Sequence, residues 1–215
     1  MTLGVMLAHG SPDPRSAACV RAAAMEVSSR CGFGVLAAFL DHDSPTLADA
    51  VASVPAAEPV VVLPLLLSSA FHARVDVPAA AAALDRRVVL LDPLGHPGPV
   101  LDAVLLRGRP SAVVVAAGTK VDEERAAFAD AVASSSTRTG VAARAVFATG
   151  PGPKVVDVAP GTAVVPWLLA PGRLLDSVHE RAADVDLDVV GGPLLEEPLL
   201  LEAVAARILA ASLVP

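Results

Sequence analysis

The chain is 215 residues long, 54% hydrophobic and 18% charged, which excludes a disordered polypeptide and supplies one or two cores without a disulfide or metal staple. Its 16 basic and 23 acidic residues leave a formal charge of −7, so it offers no electrostatic footprint for nucleic acid or an anionic membrane surface. No apolar stretch reaches the roughly 18 residues of a membrane span, and Pro64 breaks the most hydrophobic run.

The first seven residues lack the basic flank and cleavage site of a signal peptide, so a cytoplasmic location is expected. Short β-branched runs then alternate with Ala-rich helical stretches, the pattern of an α/β fold with mainly parallel strands. Strands are expected near 3–8, 35–40, 60–66 and 88–91, with helices at about 15–30, 45–54, 75–84 and 98–107. If the first of these helices carries both Cys19 and Cys31, a helical rise holds them about 18 Å apart and they do not pair. Beyond Arg109-Pro110 the order restarts, with strands near 112–117, 142–147, 163–168 and 187–190.

Individual residues repeat as well. Pro93-Leu94 returns as Pro193-Leu194, Arg107 as Arg207, and Ala8-His9-Gly10-Ser11 as Ala116-Ala117-Gly118-Thr119. An internal duplication follows, giving two pseudo-symmetric lobes, each a mainly parallel four-stranded sheet flanked by helices, at 1–109 and 110–215. A single chain with two lobes is compatible with a monomer.

Ligands of parallel α/β sheets sit beyond the carboxyl ends of strands. There the halves differ: Ala117, Leu174 and Glu196 stand opposite His9, His72 and His96. His9-Gly10-Ser11-Pro12-Asp13-Pro14-Arg15 follows the first strand; its bland reading is a turn whose imidazole is satisfied by a neighbour. Asp41-His42-Asp43 follows the second strand and offers a carboxylate or a further imidazole, or a solvated turn and helix cap. His72 follows the third strand, either as a second imidazole at the same edge or as a helix-surface residue paired with Asp76. Two imidazoles from neighbouring strand ends hold a divalent metal in an open site or accept protons near neutral pH. His96 lies at the fourth strand end, where loop polarity explains it as well as a functional role does, and His179, beside Glu180 and Arg181, reads as a helix surface.

Other signals carry no function. Gly32-Phe33-Gly34-Val35-Leu36-Ala37 matches a dinucleotide fingerprint but precedes a strand instead of following one. No phosphate-binding GxxxxGK[ST] loop and no GxSxG nucleophile elbow occurs.

Taken together, Leu7-Ala8-His9-Gly10-Ser11, Phe39-Leu40-Asp41, Val62-Leu63-Pro64-Leu65-Leu66-Leu67, Phe71-His72, Asp76-Val77-Pro78 and Pro93-Leu94-Gly95 resemble the motifs of class II tetrapyrrole chelatases, above all the sirohydrochlorin chelatases. The resemblance is strong in the N-terminal half and is a fold-level echo in the C-terminal half. Two departures stand out: Ala70 where the family often has Gly, and Asp41 where it usually has Glu.

The resemblance implies insertion of a divalent metal, Fe²⁺ before Co²⁺, into a sirohydrochlorin-type tetrapyrrole for sirohaem or cobalamin synthesis. The metal is a substrate, and no permanent cofactor is implied. His9 and His72 are the implied catalytic pair and, with Asp41, the metal ligands. Either task needs an unprotonated ring, so insertion is expected to fall as pH drops through the ordinary imidazole range near ~6.5. Arg15, Arg74, Lys120 and Arg173 lie at inferred strand edges and are candidates for the substrate carboxylates, although each also reads as helix-start surface charge. Ser11, Ser68 and Ser69 are expected to add hydrogen bonds. Phe71 and Trp167, with Leu66 and Leu67, are expected to wall a cleft shared by the lobes. A tetrapyrrole or metal carrier that catalyses nothing is the alternative.

Overall fold

A computed structural model describes residues 2–68, 75–107 and 110–213. In chain order the elements are β1 (Leu3–Ala8), α1 (Pro14–Cys31), β2 (Val35–Phe39), α2 (Leu47–Ala52), β3 (Val60–Pro64), α3 (Val77–Ala82), β4 (Val89–Leu90) and α4 (Gly98–Leu106). They continue with β5 (Ser111–Ala116), α5 (Asp122–Thr139), β6 (Ala142–Phe147), β7 (Ala163–Pro166), α6 (Arg173–Ala183) and α7 (Pro198–Ser212).

The first sheet has the order β2-β1-β3-β4, and its ladders are parallel. β1 and β3 are buried along their whole length, as central strands covered on both faces must be. One face packs Leu3, Val5, Leu7, Val60 and Val62 against Leu47, Val51 and Val77. The other face receives α1 and α7, with Gly4 at the tightest point: a Cβ there would stand 2.9 Å from Val35 and 3.1 Å from Ile208. Helix α1 begins where Asp13 accepts the Arg15 amide and Pro14 presets the first turn; it ends at Gly32 in the left-handed conformation. Ala17, Val20, Ala24, Val27 and Cys31 recur at helical spacing on its buried face.

The second sheet has the order β6-β5-β7, again parallel. The expected fourth strand near 187–190 is reduced to a single bridge, Val189 to Val164. Its extended run is cut by left-handed residues at both ends, Asp186 and Gly191. The expected strands 60–66 and 163–168 end earlier, at Pro64 and Pro166.

The compact units divide the chain differently from the repeat boundary at 109/110. One unit is 1–95 with 198–215, and the other is 96–197. Each half therefore gives its last helix to the other sheet's unit. Helix α4 packs on α5, where Arg138 grips Asp102 with two bonds of 2.8 Å. Helix α7 packs on α1 and β3. The repeated arginines secure the exchange: Arg107 reaches Glu197 at 2.6 Å, and Arg207 donates to the carbonyls of Asp92 and Pro93. The sequence order and the apolar character of both helices do not say which sheet each will cover; tertiary packing decides it.

Candidate functional site

Because β1, β2 and β3 run parallel, their carboxyl ends open at one edge. There the loops after β1 and β2 are tied together. Leu40 donates to the Ala8 carbonyl at 3.0 Å and Asp41 to the His9 carbonyl at 2.8 Å. Gly10 makes the crossing possible: its φ is 96°, and a Cβ would fall 1.8 Å from the Asp41 carbonyl oxygen. No side chain fits there. Asp43 Oδ2 accepts the Ser11 amide at 3.2 Å, and Arg21 of α1 donates to the Ser44 carbonyl at 2.8 Å. Thr46 and Asp49 then cap each other reciprocally and launch α2.

This scaffold brings two imidazoles together. The rings of His9 and His42 stack with centroids 6.3 Å apart and planes 24° from parallel. His42 is held by Asp41, whose Oδ1 accepts the His42 amide at 2.8 Å and whose Oδ2 lies 3.4 Å from His42 Nε2. His42 and Asp41 are exposed and His9 is half-buried. The sequence placed both rings at neighbouring strand ends and offered His42, directly after the second strand, as a further imidazole or a turn residue.

The other expected residues are placed unevenly. His72, Ser69, Phe71 and Arg74 lie outside the described residues, while Ser68 is described and half-buried. The Ser11 hydroxyl accepts the Asp13 amide at 3.1 Å, a turn contact. Arg15 closes a fork on Asp13, with bonds of 3.0 and 2.7 Å, so its charge is already matched locally. In the second unit, Lys120 follows β5 and Arg173 opens α6, both exposed.

Trp167 requires a correction. It is fully enclosed, and its indole N–H donates to His96 Nδ1 at 3.0 Å, so it is a core residue and not a wall open to a ligand. The repeat carried the signal: Trp167 donates its amide to Val115 just as Leu65, also buried, donates to Leu7. His96, read as loop polarity, is the partner of this core indole and lies 5.0 Å from the Phe128 ring. Burial pushes its imidazole below the usual range, and the nearby Glu124 carboxylate pulls the other way.

The two imidazoles and the Asp41 carboxylate are nitrogen and oxygen donors at an open edge, and as placed they do not form a three-donor metal site. Among the described residues, no group of three or more potential ligands is gathered. No helix among the described residues is long and apolar enough to cross a membrane.

Residues 3–109 match the CbiX family model. No curated protein sequence matches. Among solved structures, SirB from Bacillus subtilis with Fe³⁺ is similar at a TM-score of 0.73 and 20% identity, covering 99% of this chain and 96% of that one. The sirohydrochlorin chelatase SirB from Bacillus subtilis subspecies spizizenii in complex with cobalt gives 0.75 and 21%, covering 98% and 94%. CbiX, described as the terminal enzyme of sirohaem biosynthesis in denitrifying bacteria, gives 0.70 and 20%, covering 98% and 99%. At these identities the likeness establishes a shared fold along both units.

Proposed function

Since the chain belongs to the CbiX family through residues 3–109, we propose that it is a sirohydrochlorin chelatase, inserting a divalent metal into the tetrapyrrole on the way to sirohaem or cobalamin. The observation that carries this reading is the His9 imidazole, set at the carboxyl edge of β1 by the Gly10–Asp41 crossing and stacked on a second imidazole. Fe³⁺ and cobalt accompany the similar SirB structures, which supports iron or cobalt as the metal substrate.

Insertion breaks two pyrrole N–H bonds, forms metal–nitrogen bonds and releases two protons. A neutral imidazole serves both sides of that exchange: its lone pair holds the incoming ion in open coordination, and after the ion has passed on, the same lone pair accepts a proton. His9 is assigned this role. His72, next to Phe71 in the second motif, is assigned the partner role on the strength of that motif. Because Arg15 is held by Asp13, recognition of the macrocycle carboxylates falls to other cations, with Arg74, Lys120 and Arg173 as candidates.

A timed absorbance assay with metal-free sirohydrochlorin and Fe²⁺ or Co²⁺ tests the reading. A chelatase raises the rate above the protein-free background. A carrier alters only the amount bound and leaves the rate at background, which would overturn the proposal.

A further inference from the structure

The two sheets end differently at matching edges. In the first, Leu91 donates to the Val62 carbonyl and Val62 stands opposite Leu90; in the second, Val190 donates to the Val164 carbonyl and Val164 stands opposite Val189. Leu90 therefore corresponds to Val189, and Val89 to Asp188. The second edge carries a charge at that position and is cut short by the left-handed Asp186 and Gly191, devices that stop a further strand from pairing. The first edge has an apolar run there, Val88 to Leu91, with Val89 44% and Leu90 37% exposed.

Its backbone is set to pair. Along a strand the polar groups of successive residues face opposite sides, so with Val89 and Leu91 turned towards β3, Val88 and Leu90 direct their N–H and C=O groups outward. β4 is the last strand of its sheet, and these groups have no ladder to join. Beside them an open groove of about 550 Å³, lined by Ala81, Ala82, Leu84 and Leu90 among others, has room for the side chains of an added strand.

The charges at the edge select the strand. Arg86 and Arg87 precede the apolar run and Asp92 follows it, with Asp85 one position further back. A second copy of this edge laid antiparallel about Val89 sets Val88 opposite Leu90, Arg86 opposite Asp92 and Asp85 opposite Pro93, each pair twice by symmetry. Laid parallel, it would set arginine against arginine. We propose that β4 pairs antiparallel with β4 of a second copy, centred on Val89, so that the protein assembles as a two-fold dimer through one sheet shared by both copies. Each pairing of Val88 with Leu90 exchanges two backbone bonds, and the apolar side chains around them leave water. β1 lies two strands inward, so His9 takes no part in the contact.

Sedimentation velocity of the full chain, in a dilution series from about 100 µM, tests the pairing. It compares the parent with Val89→Asp, which installs the residue of the second edge, and with Asp92→Lys. The parent is expected to sediment at twice the mass of the chain at the top of the series and to dissociate on dilution. Both variants are expected to raise the dimer dissociation constant tenfold or more while keeping the parent's far-ultraviolet circular dichroism, since both positions are exposed. A parent that is monomeric throughout overturns the proposal, and so does a folded Val89→Asp that dimerises as tightly as the parent. Should Val89→Asp fail to fold, Asp92→Lys decides: undiminished dimerisation overturns the pairing, and weakened dimerisation supports it.

Discussion

After β1 and β2 the chain crosses itself at Gly10 and Asp41; after β5 and β6 it crosses at Gly118 and Thr149, where an added Cβ would meet the carbonyl oxygen at 2.2 Å. The first crossing carries His9, Asp41, His42 and Asp43. The second carries Ala117, Thr149 and Gly150, and Lys154 sets its ammonium 3.2 Å from the Thr149 carbonyl. One corner thus presents imidazoles and carboxylates, the other a bare backbone under a positive charge. What the pair teaches is that the backbone crossing is structural, kept in both units, whereas the imidazoles and carboxylates to which we assign the metal chemistry are found at one of them.

The comparison is broken most severely by removing the imidazole. His9→Ala is expected to lower the insertion rate at least 100-fold, the ordinary loss of an acid–base group. Placing an imidazole at the twin position, Ala117→His, in that variant is expected to restore nothing, as the timed absorbance assay will show. Recovery of the rate would mean that the second corner is equally competent.

The next effect separates structure from chemistry. Gly10→Ala and Gly118→Ala both force a Cβ against a carbonyl oxygen in a left-handed backbone and are expected to cost about 2 kcal/mol or more in urea unfolding. Only Gly10→Ala is expected to reduce insertion in protein still folded at the assay temperature. Equal losses of activity from both would place the chemistry outside the first crossing.

A smaller effect arises at the enclosed imidazole of the second unit, His96. Burial holds His96 below the ordinary value of 6.5. As pH falls through 6.5 the unfolded chain takes up a proton that the native state refuses, so stability declines from there towards the lower native value. Urea midpoints are expected to drop between pH 8 and pH 5.5, with a shallower drop in His96→Gln, whose carbonyl still accepts the Trp167 N–H. Trp167 emission, the signal of the only Trp, reports the same transition.

The smallest effect concerns the exchanged helices. Arg207→Ala removes the bonds to Asp92 and Pro93 and is expected to cost roughly 1 kcal/mol, measured by urea unfolding. A neutral result would mean that apolar contact alone seats α7.

Local periodicity made β1, β6 and the span of α1 legible almost to the residue, because each is a run whose apolar spacing agrees with its caps. The place of His9 was legible too, since a polar motif directly after a buried strand has only the sheet edge to occupy. The exchange of α4 and α7 was not: Leu101 and Leu201 are equally apolar, and nothing local distinguishes the sheet each helix covers. Nor was the bond from Trp167 to His96, which joins residues 71 apart and depends on how α5 brings Phe128 against the imidazole. His42 was visible as a residue but not as a partner, because its left-handed turn over His9 is set by the crossing at Gly10.

The most direct measurement is anomalous diffraction from crystals of the full chain soaked in Co²⁺. A cobalt peak within coordination distance of the His9, Asp41 or His42 side chains is predicted, with none at the Gly118–Gly150 corner. A peak at that second corner, or cobalt bound elsewhere with the first corner empty, would contradict the account.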